Sequence, residues 1–212
     1  MRLAFVSVAL LATSVANAAP PIDGWYSSLF GGYTYLPNNI NNTLNGLTRS
    51  SATYQSGYNA GGSIGYKSNP MRYEGQLTYL SANLDKFKIN HIEQKGVRGY
   101  SDAVLAFANA YYDFPNLVNA LQPFVGIGIG YGWVQAKLNS TGPTVATQFT
   151  GSNTKFAYQA TAGLTYNFSE NYALNIGYRY VATVRADELS KSFQASLASL
   201  GVVYRFNEGN YK

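Results

Sequence analysis

"PFVGIGIGYGWVQ", residues 123–135, has glycine at 126, 128, 130 and 132, with Val125, Ile127, Ile129, Tyr131 and Trp133 at the positions before, between and after them. Side chains repeat every two residues in a β-strand, so this stretch carries large apolar groups on one face and nothing on the other. Glycine weakens a strand by about 0.5–1 kcal/mol relative to alanine. Four in a row on one face therefore require a neighbour that fills the space. Two other readings fail. The spacing is not the G-x-G-x-x-G of a dinucleotide loop. Gly126 and Gly130 do satisfy G-x-x-x-G, but roughly a dozen apolar residues cannot cross a bilayer as a helix.

Working outward, eight stretches alternate with a period of two, at approximately 25–36, 58–67, 71–81, 103–113, 123–135, 155–167, 172–182 and 193–206. Each has about ten residues or a little more, which suits a tilted strand crossing a bilayer. The connections alternate in size. "SNP" (68–70) and "SEN" (169–171) are tight polar turns, and "PNLVNALQP" (115–123) is somewhat longer, with room for a helical turn. The other connections, 37–57, 82–102, 136–154 and 183–192, are long and polar. Short turns at one end and long loops at the other are the pattern of an outer-membrane barrel.

One face of these segments reads Trp25, Leu29, Tyr33, Tyr35, Ile64, Tyr66, Tyr73, Leu77 and Tyr79, then Val125 to Trp133. It continues with Phe156, Tyr158, Leu164, Tyr166, Leu174, Ile176, Tyr178 and Tyr180, and ends with Leu200, Val202, Tyr204 and Phe206. Tyrosine and tryptophan gather near the segment ends, as interfacial girdles require. The opposite face is small or polar: Ser28, Gly32, Ser63, Lys67, Arg72, Glu74, Gln76, Asn109, Asp113, Gln159, Thr161, Asn175, Arg179 and Arg205. Only the fourth segment is ambiguous, because Phe107 and Tyr111 share a parity with Asn109 and Asp113. Alternation alone also fits a soluble sandwich or a lipocalin-type barrel. The aromatic clustering at strand ends, the lack of cysteine and the size of the apolar face favour a membrane barrel. The fold expected is all-β, an eight-stranded antiparallel up-and-down transmembrane barrel with four long extracellular loops and short periplasmic turns.

An eight-stranded barrel has an interior just wide enough for side chains to fill. With Arg72, Glu74, Arg179, Arg205 and Tyr111 pointing inward, the glycine face of the fifth segment is the wall expected to make room for them. Arg72, Glu74, Asp113, Arg179 and Arg205 form the candidate lumenal polar cluster. It is read either as a hydrogen-bonded plug, the favoured reading, or as an ion pathway.

The ends of the chain and its composition add bounds. Arg2, the apolar run Leu3 to Ala16 and the small-x-small Ala16-Asn17-Ala18 have the form of a signal peptide cleaved after Ala18. That leaves residues 19–212 as the barrel domain. The chain has no cysteine, which excludes disulfides, thiolate metal sites and cysteine nucleophiles. Removal of Arg2 leaves 14 basic and 10 acidic residues in the mature chain. The basic residues are scattered, so no nucleic-acid footprint exists.

The stretches "GYKSNPMRYEGQLTY" (65–79), "NAYYDF" (109–114), "QPFVGIGIGYG" (122–132), "FAYQATAGLTYNFSENYALNIGYRY" (156–180) and "SLGVVYRF" (199–206) resemble the opacity-type, OmpA-like family of small Gram-negative outer-membrane surface antigens. Together they frame about 24 to 206. The resemblance implies an eight-stranded barrel in the outer membrane with variable surface loops and no shared catalytic motif. It also implies that Tyr204 and Phe206, in "YRF", act as the aromatic signal read by the barrel-assembly machinery. That aromatic commonly closes the chain, whereas "NEGNYK" follows Phe206 here.

The loops carry little that points to chemistry. His91 is the single histidine and lies beside Glu93 and Lys95, too few ligands for a multi-histidine metal site. Ser190, Glu188 and Asp187 give a conceivable trans-loop arrangement with His91 for a surface hydrolase, as barrel-borne lipid A deacylases and palmitoyltransferases show barrels of this size can act. The expectation is instead a non-catalytic protein with no cofactor and no metal. Its partners would be outer-membrane lipids, the assembly machinery, and a host or surface ligand met by the loops at 37–57, 82–102, 136–154 and 183–192. A narrow solute or ion pore is the second reading, and a membrane-embedded lipid-modifying enzyme the third.

Overall fold

The computed structural model describes residues 23–37, 39–42, 49–54, 56–89, 92–93, 98–116, 120–140, 147–184 and 193–206. The proposed signal peptide, His91 and residues 185–192 lie outside them. The strands are β1 (Gly24–Tyr35), β2 (Asn39–Asn42), β3 (Arg49–Tyr54), β4 (Gly57–Ser68), β5 (Met71–Ile89), β6 (Ile92–Glu93), β7 (Arg98–Asp113), β8 (Leu121–Ser140), β9 (Thr147–Asn167), β10 (Tyr172–Thr183) and β11 (Gln194–Arg205).

Eight of these close a barrel. Going round it, the order is β1, β4, β5, β7, β8, β9, β10 and β11, every neighbouring pair antiparallel. β11 then pairs with β1 from Tyr26↔Arg205 to Tyr35↔Ser196. Closure leaves no sheet edge within the barrel, so its backbone groups pair inside the wall, as a lipid environment demands.

The strands follow the expected alternation but outrun it on one side. β5, β7, β8 and β9 have 19, 16, 20 and 21 residues, well beyond the roughly 9–11 needed to cross a bilayer. The segments at 82–102 and 136–154, expected as loops, are therefore largely strand. β8 and β9 stay paired out to Ser140↔Thr147, and β7 reaches Arg98 opposite Asn139. Within 37–57, β3 adds to the distal part of β5, from Tyr54↔Leu84 to Ser50↔Ile89, and β2 pairs with β3. The reason is physical. Backbone pairing needs no lipid-facing apolar row, so the ladder runs on past Tyr79 and Trp133, where the outward row of large apolar residues ends. At the opposite rim the turns are short: residues 69–70, 114–120 and 168–171. β8 begins at Leu121, two residues before the expected start at Pro123. Of the helical turn expected there, residues 117–119 lie outside the described ones.

Facing agrees with the two-parity reading. The outward side chains, from Trp25 and Leu29 through Ile127 and Ile176 to Phe206, are all exposed on the isolated chain. β7 is also settled: Leu105, Phe107, Asn109, Tyr111 and Asp113 are buried inside, while Val104, Ala108 and Tyr112 face out.

The glycine wall of β8 receives the inner row of β7. Tyr111 stands opposite Gly126, Asn109 opposite Gly128, Phe107 opposite Gly130 and Leu105 opposite Gly132. A Cβ on Gly126 would enter the Tyr111 ring, one on Gly128 would meet the Asn109 amide oxygen, and one on Gly132 would press on Leu105. Of the groups expected against this wall, only Tyr111 lies there. The arginines do not.

The interior is layered rather than uniformly polar. At the long-hairpin end Leu36, Leu80, Leu105, Phe107, Val181 and Leu197 pack into one buried apolar cluster, with Val134 and Phe193 against it. This corrects the expectation that the inward parity is small or polar throughout. The buried ionisable side chains, Lys67, Arg72, Asp113, Arg179 and Arg205, belong to the middle and to the short-turn end.

The lumenal polar cluster as candidate functional site

The cluster starts at the short turns. The hairpin between β4 and β5 sets Lys67 opposite Arg72, and β5 sets Arg72 opposite Tyr111 on β7. All three face inward, so two cations converge on Asp113, two residues further along β7. Lys67 Nζ lies 2.9 Å from one Asp113 oxygen and Arg72 Nε 2.8 Å from the other. Lys67 also donates to Gln122 Oε1 at 3.1 Å. The Arg72 guanidinium sits between two rings, 4.9 Å from the centre of Tyr111 and 4.8 Å from that of Phe124. Its stacking and its fixed fork exploit what distinguishes arginine from lysine. Arg205 closes the same end by donating to Asn167 Oδ1 at 2.6 Å and to the Glu170 carbonyl at 3.3 Å.

The sequence brought Arg72 and Glu74 together as i, i+2 neighbours on one inner face, with Asp113 as a further acceptor. The structure reverses the order of importance. Asp113 takes both ion pairs, while Glu74 accepts hydrogen bonds from the Tyr26 hydroxyl at 2.9 Å and the Tyr111 hydroxyl at 3.5 Å. Lys67, on the inward parity but absent from the expected cluster, is a full member. Tyr26, Gln122 and Asn167 were missed as well. Proximity to the two-residue turn was the available signal for Lys67. For the others the information lies in inter-strand register.

Above this level is an amide belt. Asn109 donates to Gln76 Oε1 at 2.8 Å, Gln159 donates to Asn109 Oδ1 at 2.6 Å, and Gln76 donates to Thr78 at 2.7 Å. Arg179 enters from β10, lies 4.2 Å from the centre of the Phe30 ring, and donates to Ser199 at 2.9 Å and Thr78 at 3.4 Å. Ser199 in turn donates to Asn59 at 2.8 Å. These hydrogen bonds join β4, β5, β7, β9, β10 and β11 into one interior network, and the Phe30 ring adds β1. It holds no nucleophile–base–orienter set, and among the described residues no group of three or more His, Asp or Glu converges for a metal. The trans-loop meeting of His91 with Asp187, Glu188 and Ser190 falls outside the described residues.

Tyr204 and Phe206 face outward at the same rim, their rings 5.2 Å apart and edge to face. The Phe206 amide donates to the Trp25 carbonyl at 2.9 Å, tying the last residue of the wall to its first strand.

A closed eight-stranded barrel, apolar outside and hydrogen-bonded inside, is an integral membrane barrel. Residues 4–206 match the outer membrane protein beta-barrel domain family. The chain belongs to that family, and it is a protein of the Gram-negative outer membrane. An outer membrane protein of Gluconacetobacter diazotrophicus is 29% identical over 197 residues, covering 81% of this chain and 51% of that protein. An opacity protein of Neisseria gonorrhoeae is 32% identical over 121 residues, covering 46% of this chain and 50% of its own. The chain thus spans about half the length of the curated relatives it matches. Among solved structures, Neisserial surface protein A overlays with a TM-score of 0.55 at 18% identity, covering 86% of this chain and 97% of that one. The Pseudomonas aeruginosa outer membrane protein OprG overlays at 0.56 with 12% identity, over 88% and 99% of the two chains. Both share the fold.

Proposed function

We propose that this protein is a sealed scaffold that displays its long hairpins at the cell surface, for adhesion, host or surface contact, or envelope integrity, and that it is neither a pore nor an enzyme. The observation that carries the reading is the apolar layer at the long-hairpin end. Leu80, Leu105 and Leu197 are each 1% exposed or less, and a buried aliphatic layer across an eight-stranded lumen leaves no wetted path. Below it, the Lys67–Asp113–Arg72 ion pairs and the cross-linked amide belt fill the lumen, as a plug does.

With the lumen closed, contact falls to the regions outside the membrane, 37–57, 82–102, 136–154 and 183–192, three of which are stiffened by strand extension. In barrels of this class the long connections are extracellular and the short turns periplasmic. Outer-membrane lipids then bathe the aromatic outer face, and Tyr204 with Phe206 serves as the signal to the assembly machinery. The relative named a surface protein is consistent with a display role.

Two measurements test the proposal. Purified protein in planar bilayers gives no steady conductance, and cells whose β8–β9 extension is trimmed between Ala136 and Gly151 keep the barrel but lose surface attachment. Stable ion-selective current, reversed in selectivity by Arg179→Glu, would establish the pore instead.

A further inference from the structure

The lumen buries more positive than negative charge. Among the described residues, Lys67, Arg72, Arg179 and Arg205 are all buried, against buried Asp113 and half-buried Glu74. Asp113 divides its single charge between Lys67 and Arg72. Both Glu74 oxygens are occupied by tyrosine hydroxyls. Arg179 hydrogen-bonds to neutral partners, Thr78 and Ser199, and lies over the Phe30 ring, with Glu74 acting on it as a more distant counter-charge. Buried charge of one sign is expensive unless it is paired, and neutral hydrogen-bond partners do not supply the missing charge.

A cavity of about 60 Å³ lies where the imbalance is felt, lined by Arg72, Arg179, Ser28, Ser199, Asn175 and Glu74 among others. It has room for a few water-sized occupants. Arg72 is 6% exposed, and its Nη2 is buried without a protein acceptor. A second guanidinium, Arg179, reaches the same cavity. Two arginines lining one small space make a site for a compact anion, because guanidinium groups retain their charge and present several N–H donors in fixed directions.

We propose that this cavity binds a halide-sized monovalent anion, held chiefly by Arg72 and Arg179. A space of this size suits a halide better than a phosphate ester or a larger organic acid. Glu74 lines the same space and opposes the anion, so it sets the affinity: neutralising it strengthens binding, whereas a purely structural Glu74 would give only a weaker barrel. The anion completes the interior network without opening a path, because the apolar layer lies beyond it.

The test uses the whole protein in detergent and in crystals. In crystals grown with sodium bromide in place of chloride, an anomalous peak appears inside the cavity within reach of Arg179 or Arg72. In solution, the heat-unfolding midpoint is higher in chloride than in gluconate at equal ionic strength. Glu74→Gln widens that difference, and Arg179→Gln abolishes it. Should Arg179→Gln fail to fold, the signed response of Glu74→Gln still decides. No bromide peak, with equal midpoints in the two salts for both wild type and Glu74→Gln, overturns the proposal. A peak without any salt-dependent midpoint marks an adventitious ion only and overturns it equally.

Discussion

β7 and β8 are neighbours built as opposites. β8 puts Val125, Ile127, Ile129, Tyr131 and Trp133 against lipid and four glycines inside. β7 puts Leu105, Phe107, Asn109, Tyr111 and Asp113 inside and shows Val104, Ala108 and Tyr112 outside. Paired residue by residue, the empty inner face of one strand takes the full inner face of the other. An eight-stranded lumen cannot hold large side chains from every wall, and the sum over neighbouring strands is what must fill it. Glycine on β8 is thus the counterpart of bulk on β7, and its intrinsic cost in a strand is offset by packing that no other residue would allow.

The largest effect in breaking this comparison comes from the inner row of β7. Asp113→Ala leaves Lys67 and Arg72 buried without their shared carboxylate, at a cost of about 3–5 kcal/mol. The folded fraction in a urea series, read from the heat-sensitive gel shift, should collapse at much lower denaturant. Partial recovery in the Lys67→Met, Asp113→Ala double variant, with Arg72 still unpaired, would identify the stranded cations as the cause. On the outer row of β8, Ile127→Arg places a charge against lipid and should cost about 2–4 kcal/mol near the midplane in the same titration.

Sharpening it takes the pair Tyr111 and Gly126. Gly126→Ala drives a methyl into the ring and should cost about 1–3 kcal/mol, yet in a Tyr111→Ala background that penalty should largely vanish. A coupling within about 0.5–3 kcal/mol in the double-mutant cycle would be the signature of one strand filling the other. Strict additivity would mean that the wall is empty for another reason. The smallest effect belongs to the outer face of β7: Ala108→Val meets lipid rather than protein and should stay within about ±0.5 kcal/mol.

The class of fold was legible because lipid imposes a two-residue period over a whole strand, and the side chains that obey it are large. From Trp25 to Phe206 the outward assignments needed no partner to be read. The strand lengths were not legible: the ladder from Ala136↔Gly151 to Ser140↔Thr147 continues past Trp133, where the outward row of large apolar residues ends. The facing of β7 was ambiguous for a related reason, since its inner row mixes Phe107 and Tyr111 with Asn109 and Asp113.

The candidate site divides in the same way. Sequence parity sufficed to send Arg72, Glu74, Arg179 and Arg205 inward, because a charge facing hydrocarbon is costly wherever it sits in the barrel, whereas the facing of Asp113 on β7 was settled only by the closed barrel. Which of them touch was decided by closure and register. Lys67 and Asp113 are 46 residues apart, and Arg179 and Thr78 are 101 apart. The apolar layer of Leu36, Leu80, Leu105, Val181 and Leu197 likewise gathers residues from β5, β7, β10, β11 and the end of β1, each unremarkable in its own strand. Facing is a one-body property, fixed by the solvent on either side of a strand, and the sequence alone determines it. Pairing inside a filled lumen is a many-body property, and it exists only once eight strands have closed around it.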